Sequence, residues 1–247
     1  WEKIVYDIKN PQAEVKIAVV GKYVELKDAY ISINESLEHA AYSLGYKARI
    51  KYIQAENLDV ESLKEYQGIL VPGGFGNRGV EGKIAAIKYA RENKIPFLGI
   101  CLGMQLAVVE FARNVLGYTD ANSSELDENT THPVIHIMED QKYIEKMGGT
   151  MRLGAYPCIL GDGTLAKELY ESKEISERHR HRYEYNNIYR EELEKAGLKV
   201  SGTSPDNTLV EIVELPREVH PFYIAGQFHP EFKTRPNRPH PLFKGFI

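Results

Sequence analysis

The chain has 247 residues, 43% of them hydrophobic and 27% charged, with a formal net charge of −4 at pH 7. That length can bury a substantial core, in one large or two small α/β domains. The charge balance excludes a surface built for nucleic acid or anionic membrane, whose footprint is clustered positive charge.

Two cysteines, Cys101 and Cys158, are too few for a disulfide framework and point to a reducing, cytoplasmic compartment. No apolar run is long enough to span a bilayer, and no signal peptide is evident. The chain opens on Trp1 rather than methionine, as a fragment or processed chain would.

Residues 1–13, WEKIVYDIKNPQA, are polar with a proline and read as a tether into the domain. VKIAVVG (15–21) is a near-continuous apolar run ending in glycine, the profile of a central parallel strand. In 28–45, Ile31, Leu37, Ala41 and Leu44 share a helical face, and Gly45 is placed to stop it. YKARIKYI (46–53) alternates like a half-exposed strand. GILVP (68–72) and IPFLGI (95–100) read as buried strands, each followed by a helical pattern, at 80–94 and 102–117. Residues 118–133 lack periodicity and read as a loop. Strand candidates follow at 156–160, 198–204, 208–215 and 222–228, with a short helix at 188–197 and a Pro-rich tail expected to wrap the surface. Strand–helix alternation with short joins implies an α/β fold: a mostly parallel central sheet with helices on both faces. Its ligand site lies beyond the carboxyl ends of the strands.

At 99–103, Gly-Ile-Cys-Leu-Gly, Cys101 stands where a strand turns directly into a helix. Flanking glycines permit the sharp turn of a nucleophile elbow, and a helix N-terminus favours the thiolate. A free cysteine is more often a small buried hydrophobe; the glycines and the junction argue otherwise here, while Cys158 reads as core. A nucleophile needs a base. QFHPEF supplies His229-Pro230-Glu231 after a predicted strand. Pro230 disfavours helix at His229. In an extended tripeptide, residues two apart project to one side, so Glu231 can orient the imidazole while His229 faces the thiol.

VPGGFGNRG (71–79) contains a literal G-x-G-x-x-G after a strand and before a helix, the context of a dinucleotide fingerprint. The ribose-binding acid expected after the next strand is absent: that place carries Cys101. The loop instead suits an oxyanion hole, with the Gly74 N–H and the Leu102 N–H as donors. His179 and His181 in RHRHR have H-x-H spacing, but no Cys or carboxylate stands at supporting spacing, and arginines would repel a cation. No metal is expected; the run reads as an anion contact or a solvated strand.

PGGFG, GICLGMQ and HPE, in this order, resemble the class I (triad) glutamine amidotransferases, whose architecture is flavodoxin-like. KIAVVGKYVELKDAYISINESLEHA, GGTMRLGAY, RHRHRYEYNN and GQFHPEF are similar to the glutaminase domains of CTP synthases, over nearly the whole chain from about residue 15. The resemblance implies that Cys101 attacks the side-chain amide of L-glutamine. His229 protonates the departing ammonia, and water releases glutamate from a thioester. It implies glutamine contacts at Gly74, Leu102, Gly103, Met104, Gln105, Glu125 and Arg182, with Glu125 receiving the ammonium and backbone near Arg182 meeting the α-carboxylate. Phe75 and Arg152 resemble the lid region tied to the activator GTP.

It further implies a linker over 1–14, an amidotransferase domain over 15–247, and an N-terminal synthase domain as partner in a homo-oligomeric enzyme. That half would use ATP, UTP and Mg2+; the chain has no G-x-x-x-x-G-K-[ST], and no cofactor of its own is expected. Two other readings stay open on these residues: a stand-alone γ-glutamyl hydrolase with the same triad, and a regulatory module whose triad is idle.

Overall fold

The computed structural model describes residues 1–22, 27–137 and 151–247. Parts of two of the quoted stretches, residues 23–26 and 148–150, lie outside the described residues.

The strands are β1 (Ala13–Gly21), β2 (Tyr46–Gln54), β3 (Gly68–Val71), β4 (Phe97–Ile100), β5 (Asn122–Ser123) and β6 (Pro133–Ile137), then β7 (Arg152–Leu160), β8 (Glu174–His181), β9 (Tyr183–Tyr185), β10 (Lys199–Thr203), β11 (Val210–Glu214) and β12 (Tyr223–Gly226). The helices are α1 (Glu2–Lys9), α2 (Ile31–Ser43), α3 (Val80–Glu92), α4 (Leu102–Asn114), α5 (Leu165–Tyr170), α6 (Arg190–Lys195) and α7 (Pro241–Phe246). Nine strands form one sheet in the order β2-β1-β3-β4-β12-β11-β10-β7-β8. The first five of that order run parallel. Their order is the flavodoxin-like one, with β12 as fifth strand. The other four continue the sheet antiparallel. A small second sheet joins β5, β6 and β9.

Alternation along each strand divides the core. Ala18 and Val20 of β1 pack with Ile84, Ile87, Leu106 and Val109 of α3 and α4. Ile17 and Val19 face the other way, onto Ile33 and Leu37 of α2 and Phe243 and Phe246 of α7.

Three expectations are corrected. The tether at 1–13 contains helix α1, followed by Pro11. Ile4, Val5 and Ile8 recur at helical spacing, and Lys3 pairs with Asp7 one turn on, at 2.5 Å. The Pro-rich tail does not merely wrap the surface. Pro241 starts α7 at its first turn, where proline is tolerated, and Leu242, Phe243 and Phe246 sink into the core. Each such burial contributes roughly 1.5–3 kcal/mol. The loop at 118–133 carries the two-residue β5 and leads into β6, whose short apolar run PVIHI gives little period to read.

Candidate active site

β3, β4 and β12 are neighbours in the sheet, so their carboxyl ends release three loops at one edge. Cys101 follows β4 with φ 52° and ψ −104°, a conformation costly for a residue with a side chain. Hydrogen bonds hold it there. Its N–H donates to the Gly226 carbonyl of β12 at 2.8 Å, and its carbonyl accepts from Met104 and Gln105 in the first turn of α4. The turn closes because Gly103 lies on β3: a Cβ there would stand 2.1 Å from the Val71 carbonyl oxygen. The sulfur therefore sits at the N-terminus of a 13-residue helix, facing its dipole and its free N–H groups.

β12 brings His229 to the same edge. Its N–H donates to the Arg178 carbonyl of β8 at 2.7 Å, fixing the chain beside the elbow. The extended tripeptide expected at 229–231 is corrected: Pro230–Phe232 is a turn of 3-10 helix with His229 as its cap. Pro230 occupies the first turn, where its missing N–H costs nothing. The turn still brings Glu231 Oε1 to 2.8 Å from His229 Nδ1, leaving Nε2 as the nitrogen available for chemistry. His229 also stacks on Phe232. Burial disfavours its charge, but hydrogen bonds to Cys101 and Glu231, and their negative charge, raise its pKa to about 10. The ring is thus held as imidazolium beside the sulfur.

The other sequence-predicted residues divide by what they face. A cavity of about 380 Å³ opens over Cys101, lined by Gly74, Phe75, Gln105, Glu125, Met151 and Arg180 to Tyr183. A second, of about 470 Å³, meets Cys101 from the side of Gly73, His229, Glu231 and Phe232. Phe75 and Arg180 border both, with the guanidinium 6.0 Å from the ring centroid. Glu125 is partly buried. Desolvation raises its pKa, while the charge of Arg182, which lines the same cavity, lowers it. The lining thus offers a carboxylate and a guanidinium in the same cavity as a thiol.

Gly74 and Leu102 are adjacent, a Cβ on Gly74 standing 3.7 Å from Leu102 Cδ2. The Met104 and Leu102 side chains lie in the apolar core, and Gly103 has none, so these three can meet a ligand only through backbone. Arg152, read as part of a lid, turns inward: it is buried and pairs with Glu211 at 2.7 Å and Glu184 at 3.2 Å. The RHRHR run is half-buried rather than a solvated strand. Arg178 and Arg180 are exposed, while His179 and His181 are buried with their rings hydrogen-bonded at 2.8 Å.

Four residues near the sulfur were not singled out from sequence. Gly73 packs against His229 and Cys101. Gln227 is fully buried, with Nε2 3.9 Å from the Cys101 sulfur. The Arg180 carbonyl lies 4.0 Å from it, and the Tyr183 carbonyl accepts from Gln105 Nε2 at 3.1 Å. Two act through backbone, which sequence identity does not advertise. Gln227, two residues before His229, carried the one available signal, a polar side chain ending a buried strand.

Comparison with known proteins agrees with this geometry. The family described as "Glutamine amidotransferase class-I" matches residues 25–247. The chain is 61% identical to the CTP synthase of Clostridium beijerinckii and 55% identical to that of Bacillus subtilis, in each case over 100% of this chain and 46% of the relative. It thus spans about half the length of the curated relatives it matches. Among solved structures, the glutaminase domain of Trypanosoma brucei CTP synthase with bound acivicin is similar at a TM-score of 0.88 and 42% identity, over 94% of this chain and 92% of that one. A glutamine amidotransferase from Methylobacillus flagellatus, at 14% identity and a TM-score of 0.50, shares the fold. The strained elbow, the imidazole beside it and these matches lead to one assignment: the chain belongs to the class I glutamine amidotransferase family, on the branch of the CTP synthase glutaminase domains.

Proposed function

We propose that this chain hydrolyses the side-chain amide of L-glutamine through a thioester on Cys101. The observation that carries the reading is the left-handed backbone at Cys101, which sets a thiol at a helix N-terminus beside an imidazole bonded to Glu231. Glutamine enters the 380 Å³ cavity with its α-ammonium toward Glu125 and its α-carboxylate toward the backbone near Arg182. The Cys101 thiolate adds to the amide carbon. The oxyanion is stabilised by the N–H groups of Gly74 and Leu102, each such donor being worth about 10²–10³ in rate. His229 gives its proton to the departing nitrogen, then takes one from the water that cleaves the thioester. Glu231 holds the imidazolium through Nδ1.

For the longer protein of which the relatives are examples, we propose that the ammonia serves the ATP-dependent amination of UTP to CTP. A synthase domain with Mg2+ would carry this out, GTP would activate hydrolysis near Phe75, and the assembly would be a homo-oligomer in the cytoplasm. In this reading residues 1–14 are the link to that domain. Among the described residues no helix is long and apolar enough to cross a membrane.

Glutamine-dependent ammonia release by this chain, compared with Cys101→Ala, tests the hydrolysis. Loss of release in the variant is expected; equal rates would reject the thioester route. Adding a CTP synthase amination domain and GTP should raise the rate, and rapid cleavage of γ-glutamyl peptides without either would favour a stand-alone hydrolase.

A further inference from the structure

Behind the pocket wall lies a cluster of buried ionisable side chains that the proposed chemistry does not use: Arg152, His179, His181, Glu184 and Glu211. Their hydrogen bonds have a forced direction. His181 Nδ1 lies 3.1 Å from the Tyr183 carbonyl, which can only accept, so Nδ1 carries the hydrogen. Burial, with Arg152 nearby, pushes His181 down to about 3 and His179 to about 2, so both rings are neutral. His181 Nε2 is then a lone pair, and His179 Nδ1, 2.8 Å away, donates to it. That leaves His179 Nε2 as a second lone pair. It is buried without a hydrogen-bond partner and faces Glu211 Oε2 at 3.6 Å.

An ionised carboxylate would oppose lone pair to lone pair there; a carboxylic acid would close the gap with O–H···N. Arg152 binds the other oxygen, Oε1, more closely, at 2.7 Å against 3.4 Å to Oε2. Charge agrees with geometry: one guanidinium faces two carboxylates, so a single added proton makes the cluster neutral. Burial raises both carboxylates against the pull of Arg152, Glu184 to about 8, and it is the lone pair at His179 Nε2, facing Glu211, that selects Glu211 for the proton.

We propose that Glu211 is a positioning residue: protonated at Oε2, it donates to His179 Nε2 and starts a one-way relay through His179 and His181 to the Tyr183 carbonyl, fixing the pocket wall at residues 180–183. The wall matters because His181 lines the cavity. The same Tyr183 carbonyl accepts from Gln105, whose amide also reaches Gln227 beside the sulfur. The effect on substrate rests on the glutaminase reading; the location of the proton does not.

Neighbouring strands supply the ionisable groups around the proton. β7 supplies Arg152 and Cys158, β8 supplies His179 and His181, and β9 supplies Glu184. The charge of His229 acts on both buried imidazoles. β10 carries one ionisable residue, Lys199, opposite Glu214 in the strand register at the strand's far end.

Glu211→Gln keeps the relay permanently charged with a donor. Its amide N–H₂ replaces the acid O–H, its carbonyl accepts from Arg152, and only the 3.4 Å contact from Arg152 to Oε2 is given up. Glu211→Met keeps the volume and removes the donor. We expect Glu211→Gln to hold the KM for L-glutamine within about twofold, and Glu211→Met to raise it about tenfold with a smaller change in kcat. In wild type KM should rise at alkaline pH as Glu211 ionises, a limb that Glu211→Gln lacks.

Infrared spectra of the resting chain should contain a buried carboxylic-acid C=O band at neutral pH, lost in Glu211→Gln and kept in Glu184→Gln. Persistence of the band in Glu211→Gln, its loss in Glu184→Gln, or an equal KM defect in Glu211→Gln and Glu211→Met would overturn the proposal. The infrared comparison needs no turnover and decides alone if Glu211→Met does not fold. Failure of the glutaminase reading would appear separately, as no Cys101-dependent hydrolysis in wild type.

Discussion

Gly73 leaves room for His229 and for nothing more. A Cβ on this glycine would stand 2.8 Å from Cε1 of the imidazole and 3.4 Å from Cβ of Cys101. The first distance is shorter than carbon atoms tolerate, so Gly73→Ala must displace the ring. Imidazole and thiol approach from different loops, and small misplacements of reacting groups cost about 10²-fold. Gly73→Ala should therefore lower kcat for glutamine hydrolysis about 10²-fold while the melting temperature changes little. Wild-type turnover in this variant would mean that the ring works from another position.

Protonation of His229 gives a second test. Its pKa is raised from 6.5 to about 10, with hydrogen bonds to Cys101 and Glu231 overcoming burial. A group whose pKa rises on folding stabilises the fold fully below its unfolded value and loses that contribution as pH climbs through the folded one. Stability from this site should thus be intact below about pH 6.5 and gone above about pH 10. NMR titration of the ring should show the proton retained well above neutrality in wild type and released at lower pH in Cys101→Ala. An unchanged midpoint in the variant would show that the sulfur does not face the ring.

Recognition of the amino-acid end of glutamine is proposed for Glu125, whose pKa is raised by desolvation against the pull of Arg182. Loss of a hydrogen bond to a charged group costs about 1.5–3 kcal/mol. Glu125→Gln should therefore raise the KM for glutamine roughly 10- to 100-fold, with less effect on kcat. A change confined to kcat would move Glu125 from binding to the chemical step.

Within the parallel half, β3 and β4 were legible because they are buried and read as unbroken apolar runs followed by a helical period, while the edge strand β2 was legible from its alternation. Cys101 was legible because a cysteine between two glycines at a strand–helix junction has few structural reasons to be there. The base was found by its motif, while its local geometry was misread: the backbone of Pro230 serves a 3-10 turn as readily as an extended one. Arg152 was placed in a lid by resemblance, yet its partners Glu184 and Glu211 are 32 and 59 residues away along the chain. Pairings across strands leave no local pattern. The same holds for His179 and His181, whose burial follows from alternation along β8 once its exposed face is known.

The tail gives a stability test. Phe243 is fully buried between α2 and the sheet, although it follows the proline-rich stretch 236–241. Phe243→Ala should destabilise the fold by about 3–5 kcal/mol, read from denaturant unfolding. A loss under 1 kcal/mol would show that α7 is dispensable to the core.

If Cys101 is the nucleophile, an electrophile shaped like the substrate must be captured on its sulfur. The chain should be incubated with an electrophilic glutamine analogue, digested and mapped by mass spectrometry. A single adduct is expected on the peptide carrying Cys101, suppressed by excess L-glutamine and slowed in His229→Ala. An adduct on Cys158, or none on Cys101 under conditions where the chain releases ammonia from glutamine, would contradict it.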